Sequence, residues 1–157
     1  VALNKPPVEI YPYPDIAGLV DNIESYNPFK DKRLKGYELT VADREYYTLD
    51  KDTWETVLAK VWLKVSFAQK KWTKEVGDCD NWAEAMHYHL AKATLDAGLD
   101  HQLAFTLAWS NTHAYNLFVT EDKIYVYEPQ SGKTKGNFKV INKLFKKFDT
   151  TKIFFIS

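Results

Sequence analysis

An α+β fold is what this sequence predicts, on three observations. Apolar residues recur with helical spacing over 50–71 and again over 79–97. From His101 onward the period drops to two, in runs rich in aromatic and β-branched residues. Gly98 stands where the second helical pattern stops, the place where a left-handed residue ends a helix. The expected architecture is a cysteine-bearing helix packed on an antiparallel sheet, with the first helix and an N-terminal arm covering it.

The arm spans 1–49. Five of the six prolines lie before residue 30, among them Lys5-Pro6-Pro7 and Tyr11-Pro12-Tyr13-Pro14, and proline fixes its own φ while disfavouring helix in the residue before it. A short helix is expected at Ile16 to Ser25. The first long helix runs from Asp50 to Lys71: Asp50 or Asp52 caps it, and Trp54, Val57, Leu58, Val61, Trp62, Val65 and Ala68 form its apolar stripe. The second begins at Cys79 or Asp80 and places Cys79, Trp82, Ala83, Met86, Leu90 and Ala93 on one face. Gln102 to Trp109, His113 to Thr120, Lys123 to Glu128 and Lys152 to Ile156 read as strands, and Phe138 to Phe148 as room for a short helix.

Length and composition set the outer bounds. At 157 residues, 45% hydrophobic and 15% aromatic, the chain has material for one domain over 1–157, with 50–157 as its core. The 21 basic and 21 acidic residues cancel, so no global field recruits nucleic acid or an anionic membrane, and the cluster Lys143, Lys146 and Lys147 reads as a solvated helix side. No apolar run reaches the roughly 18 residues a membrane span needs. A single cysteine forms no internal disulfide; it suits a reducing compartment and equally a secreted thiol enzyme. A start at Val1 fits a removed leader or precursor segment, and oligomeric state is not encoded legibly.

Three residues stand out chemically. Cys79 opens a helix, where unpaired backbone N–H groups and the positive dipole end lower a thiol pKa and hold negative charge. His113 opens one strand and Glu128 closes the next. If those strands pair about Glu121-Asp122, opposite residue numbers sum to 243, which sets His113 against Gln130 and Tyr115 against Glu128 on one face. Glu128 is then a diagonal neighbour of His113, within reach of its imidazole. A slip of one residue would separate them. Thiol, imidazole and carboxylate in this layout form a nucleophile with its base and orienting acid.

Gly77-Asp78-Cys79-Asp80-Asn81-Trp82-Ala83, then His113-Ala114-Tyr115, then Tyr127-Glu128-Pro129, resembles the transglutaminase-like branch of the papain-like cysteine peptidase superfamily, in particular its bacterial transglutaminase-like cysteine proteinases. The resemblance covers about residues 75 to 130. It implies a papain-like or transglutaminase-like core with Cys79 as nucleophile, His113 as general base and acid, and Glu128, in place of the usual aspartate, as the orienting carboxylate. The implied activity is hydrolysis of a peptide or amide bond in a peptide or protein substrate through a thioester, or transamidation by the same triad. An oxyanion hole would use the Cys79 N–H and one side-chain donor from Gln69, Trp72 or Gln130. Trp72, Trp109 and Tyr115 would line a substrate groove.

That chemistry requires no cofactor and no metal. His87 and His89, two apart on a helix, face different directions, and the acidic loop Asp78 to Asp80 is only a generic calcium ligand set. The alternative function is a non-catalytic binding or interaction module of bacterial or phage origin that keeps the fold without turnover. Asp78 and Asp80 favour it, because their charges oppose thiolate formation.

Overall fold

The computed structural model describes residues 13–69, 78–110, 113–137 and 150–155. Within these the chain forms β1 (Glu24–Tyr26), β2 (Glu38–Val41), β3 (Tyr46–Thr48), α1 (Lys51–Gln69), α2 (Cys79–Asp96), β4 (Phe105–Ser110), β5 (Ala114–Val119), β6 (Ile124–Glu128), β7 (Lys133–Asn137) and β8 (Thr150–Phe155). The segment Phe138 to Phe148, the prolines before residue 13, and Trp72 lie outside the described residues.

Both helices follow from their ends. Asp50 Oδ1 accepts the Thr53 N–H at 2.7 Å, and this bond holds the Asp50 carboxyl below its ordinary pKa. The buried stripe of α1 is Trp54, Val57, Leu58, Val61 and Val65, and the Trp54 indole N–H donates to the Val119 carbonyl at 2.9 Å, so its polar edge is satisfied inside the core. Asp78 and Asn81 form a capping box at the start of α2, with the Asp78 N–H donating to Asn81 Oδ1 at 3.3 Å. At the other end the N–H of Gly98 reaches Leu95 O and that of Leu99 reaches Thr94 O, the paired bonds of a Schellman motif, and Gly98 takes the φ of +77° that motif demands.

The six-stranded sheet has the order β2-β8-β4-β5-β6-β7, and β1 pairs with β3 in a separate ribbon. Here the expected α+β papain-like or transglutaminase-like core needs correction. The sheet is mixed rather than antiparallel, because β2 runs parallel to β8. The segment read as an arm supplies that edge strand and the ribbon. Ile16 to Ser25 is no helix: it contains a single 3-10 turn, Ala17–Leu19, whose first N–H is taken by Asp15 Oδ1, followed by β1.

Both faces of the sheet are covered. On one, Phe105, Phe118, Tyr125 and Tyr127 pack with the α1 and α2 stripes. On the other, Tyr115, Leu117, Val119, Ile124, Val126, Ile153 and Phe155 pack with Leu34 and Tyr46 from the N-terminal segment. All six β5 residues are buried in consequence. Each large apolar side chain removed from water in this way contributes about 1.5–3 kcal/mol.

Candidate functional site

The β5–β6 hairpin positions the expected site. Asn116 pairs with Tyr127, Leu117 with Val126, Phe118 with Tyr125 and Val119 with Ile124; residue numbers in each pair sum to 243, as 116 and 127 do. At the tight end the Thr120 hydroxyl accepts the Lys123 N–H at 3.0 Å, which fixes the two-residue turn. At the open end His113 Nε2 and Glu128 Oε2 are 2.7 Å apart, with only 18% and 16% of those side chains exposed. The imidazole also stacks on the Tyr115 ring, at 5.5 Å between centroids and 25° between planes. Ser110 holds the start of β5: its hydroxyl accepts the His113 N–H at 3.0 Å and donates to the His113 carbonyl at 3.1 Å.

Cys79, the first residue of α2, is half-buried and packs with Ala83, Leu107, Ala114 and Phe154. Its thiol therefore sits against the residue that follows His113. Burial pushes the thiol pKa up, the Ala114 N–H partly opposes this, and the charges of Asp78 and Asp80 push it up again. A helix N-terminus was expected to activate the sulfur, and the net direction is the reverse. Asp80 is itself raised, first by its hydrogen bond with the Asp78 carboxyl and then by burial.

Among the remaining expected residues, Trp109 is 37% exposed, with its ring edge-on to Phe154 at 6.1 Å. Gln130 is half-buried in the turn after β6, and Gln69 ends α1. Tyr115 is fully buried beneath the His113 ring. The structure brings His113, Glu128 and Tyr115 into contact and sets Cys79 and Trp109 beside Ala114. Among the described residues no group of three or more His, Cys, Asp or Glu could hold a metal ion.

Two features escape sequence reading. Asn116 is fully buried, and its Nδ2 donates to Ala83 O at 3.1 Å and Thr106 O at 3.0 Å, tying α2 to the sheet. The only sequence signal is one amide in an otherwise apolar strand. The second is a charged cleft at the hairpin's tight end, built on the run Lys30-Asp31-Lys32-Arg33.

No family model matches the sequence, and no curated protein matches it. Ten solved chains match the structure. The PSL1a–E64 complex aligns at a TM-score of 0.62 and 20% identity, covering 77% of this chain and 43% of that one. The Polyporus squamosus lectin bound to the human-type influenza-binding epitope Neu5Aca2-6Galb1-4GlcNAc aligns at 0.58 and 21%, covering 76% and 42%. This chain therefore spans less than half the length of either. At these identities the likeness is one of fold.

That finding overturns the transglutaminase-like and papain-like resemblance: one of these structures is named as a lectin, and neither as a transglutaminase-like or papain-like peptidase. The reading as a hydrolase, thiol protease or amidase is withdrawn with that resemblance, as is the bacterial or phage setting; the positions of Cys79, His113 and Glu128 stand as described. Among the described residues no helix is long and apolar enough to cross a membrane.

Proposed function

We propose that this chain is a non-catalytic binding module whose ligand is a carbohydrate. The observation that carries the reading is the fold shared with a lectin that holds a sialylated trisaccharide. The state of the thiol supports it, since burial and two neighbouring carboxylates favour the neutral sulfur over a nucleophilic thiolate. Saccharides suit surfaces that pair an accessible aromatic ring with polar side chains. Trp109 offers such a ring near Cys79, and Gln130 an amide beyond β6.

Isothermal titration with the trisaccharide Neu5Aca2-6Galb1-4GlcNAc and with lactose tests the reading. The expected result is saturable binding of at least one of them, with no bond cleaved in the ligand. Absence of saccharide binding, together with a covalent adduct of E64 on Cys79 seen by mass spectrometry, would overturn it.

A further inference from the structure

The cleft at the tight end of the β5–β6 hairpin is open to solvent and has a volume of about 700 Å³, within the range of small-molecule sites. Its walls come from three separate stretches: the β1 end and the two 3-10 turns after it, residues before β3, and the hairpin tip Glu121-Asp122. A second cleft of about 250 Å³ also has Glu121 and Asp122 in its lining.

The formal charges in the larger cleft cancel: Lys30, Lys32, Arg33 and Arg44 stand against Asp31, Glu45, Glu121 and Asp122. What differs is how far each sign is already engaged. Asp31 Oδ1 accepts Arg33 Nε at 2.9 Å, while its Oδ2 accepts Arg33 Nη2 at 2.8 Å and the Tyr26 hydroxyl at 2.7 Å. Glu45 accepts the Ser25 hydroxyl at 2.9 Å and lies 3.3 Å from His101 Nε2, and Asp122 accepts the Thr120 hydroxyl at 3.0 Å. Asp31 and Glu45 thus have a protein donor at each oxygen, and Asp122 has one at Oδ1. Among the described residues Lys30, Lys32 and Arg44 have no ion pair. Arg33 is held in place by the Asp31 fork and by Thr120 O within 3.5 Å, so its neighbourhood is preorganised.

We propose that this groove binds an acidic saccharide, with Lys30 and Arg44 taking its oxyanion and the hairpin tip taking hydroxyls of the adjoining sugar. The saccharide class rests on the function proposed above; the charge preference and the location are new. Because the net charge of the cleft is zero, discrimination is local and contact-based rather than long-range steering. Carboxylated and sulfated sugars present the same oxyanion chemistry and are separate arms of the test.

The full chain is titrated with the sialylated trisaccharide, a sulfated lactose and neutral lactose, in wild type, in Lys30→Gln/Arg44→Gln and in Leu95→Ala. Arg33→Lys, which keeps the charge but loses the fork, is a fourth arm. Expected is at least about tenfold tighter binding of one acidic sugar over lactose, a preference lost in the double variant and retained in Leu95→Ala, an exposed position on α2 away from the groove. In Arg33→Lys the preference falls by a smaller factor. If acidic and neutral sugars bind wild type equally, or the double variant keeps the preference, the inference is overturned while carbohydrate binding stands. If no sugar binds wild type, both fall.

Discussion

The two ends of the β5–β6 hairpin are chemically unlike, although one ladder joins them. Its open end carries the His113–Glu128 pair, stacked Tyr115 and the half-buried Cys79, all packed against neighbouring elements. Its tight end, about 20 Å away at the rise of an extended strand, faces the charged groove through Glu121 and Asp122. The residue types that look reactive in sequence occupy the packed end. The residues with unspent donors occupy the open groove. Proximity of a thiol to an imidazole-bearing segment does not by itself make a nucleophile when burial and carboxylates hold the proton on sulfur.

That contrast can be broken most severely at the packed end. Tyr115→Ala removes a fully buried ring from under His113, and urea denaturation should show a loss of about 3–5 kcal/mol. Asn116→Ala leaves the Ala83 and Thr106 carbonyls without their donor; the expected loss is about 2–3 kcal/mol by the same measurement. Gly132→Ala comes next. Gly132 has φ +69°, and a Cβ there would lie 2.7 Å from the Trp62 ring, which cannot swing aside without losing its 2.7 Å bond to Pro129 O. A cost of about 1–3 kcal/mol in chemical denaturation is expected.

A pH series sharpens the comparison with the smallest effect. Burial alone would raise the Asp31 pKa, but hydrogen bonds from Arg33 and Tyr26 outweigh it and hold the carboxyl below its ordinary value. Its contribution is therefore present above the unfolded carboxylate pKa and is lost as pH falls through the lower folded value. The Cys79 thiol has the opposite sense. Its folded pKa is raised, so the unfolded chain gives up the proton first, and stability declines as pH rises past the unfolded thiol value. Asp31→Asn should remove part of the acid limb and Cys79→Ala part of the alkaline limb in thermal melts across pH, each without touching the other.

Local physics was legible in the sequence. Caps, glycine stop and apolar spacing pointed to the helices found at Lys51–Gln69 and Cys79–Asp96, and alternation about Glu121-Asp122, for a loop of either two or four residues, pointed to the β5–β6 register. What escaped is non-local. The parallel pairing of β2 with β8 joins residues more than a hundred positions apart, and nothing in either four- or six-residue strand encodes its partner. Lys133–Asn137 shows no apolar alternation, so β7 was invisible as an edge strand. The groove depends on three stretches converging, and its individual charges look like ordinary surface. The motif around Cys79 was legible as residue types, and spacing carries no information about how burial sets a pKa.

The most direct test of a non-catalytic role is the rate at which iodoacetamide alkylates Cys79 near pH 6, in the native chain and in the same chain unfolded in urea. A thiol whose pKa is raised by burial and by Asp78 and Asp80 labels more slowly in the native protein than in the unfolded one. Faster labelling of the native protein, or a stoichiometric E64 adduct on Cys79, would contradict that role and return the sulfur to chemistry.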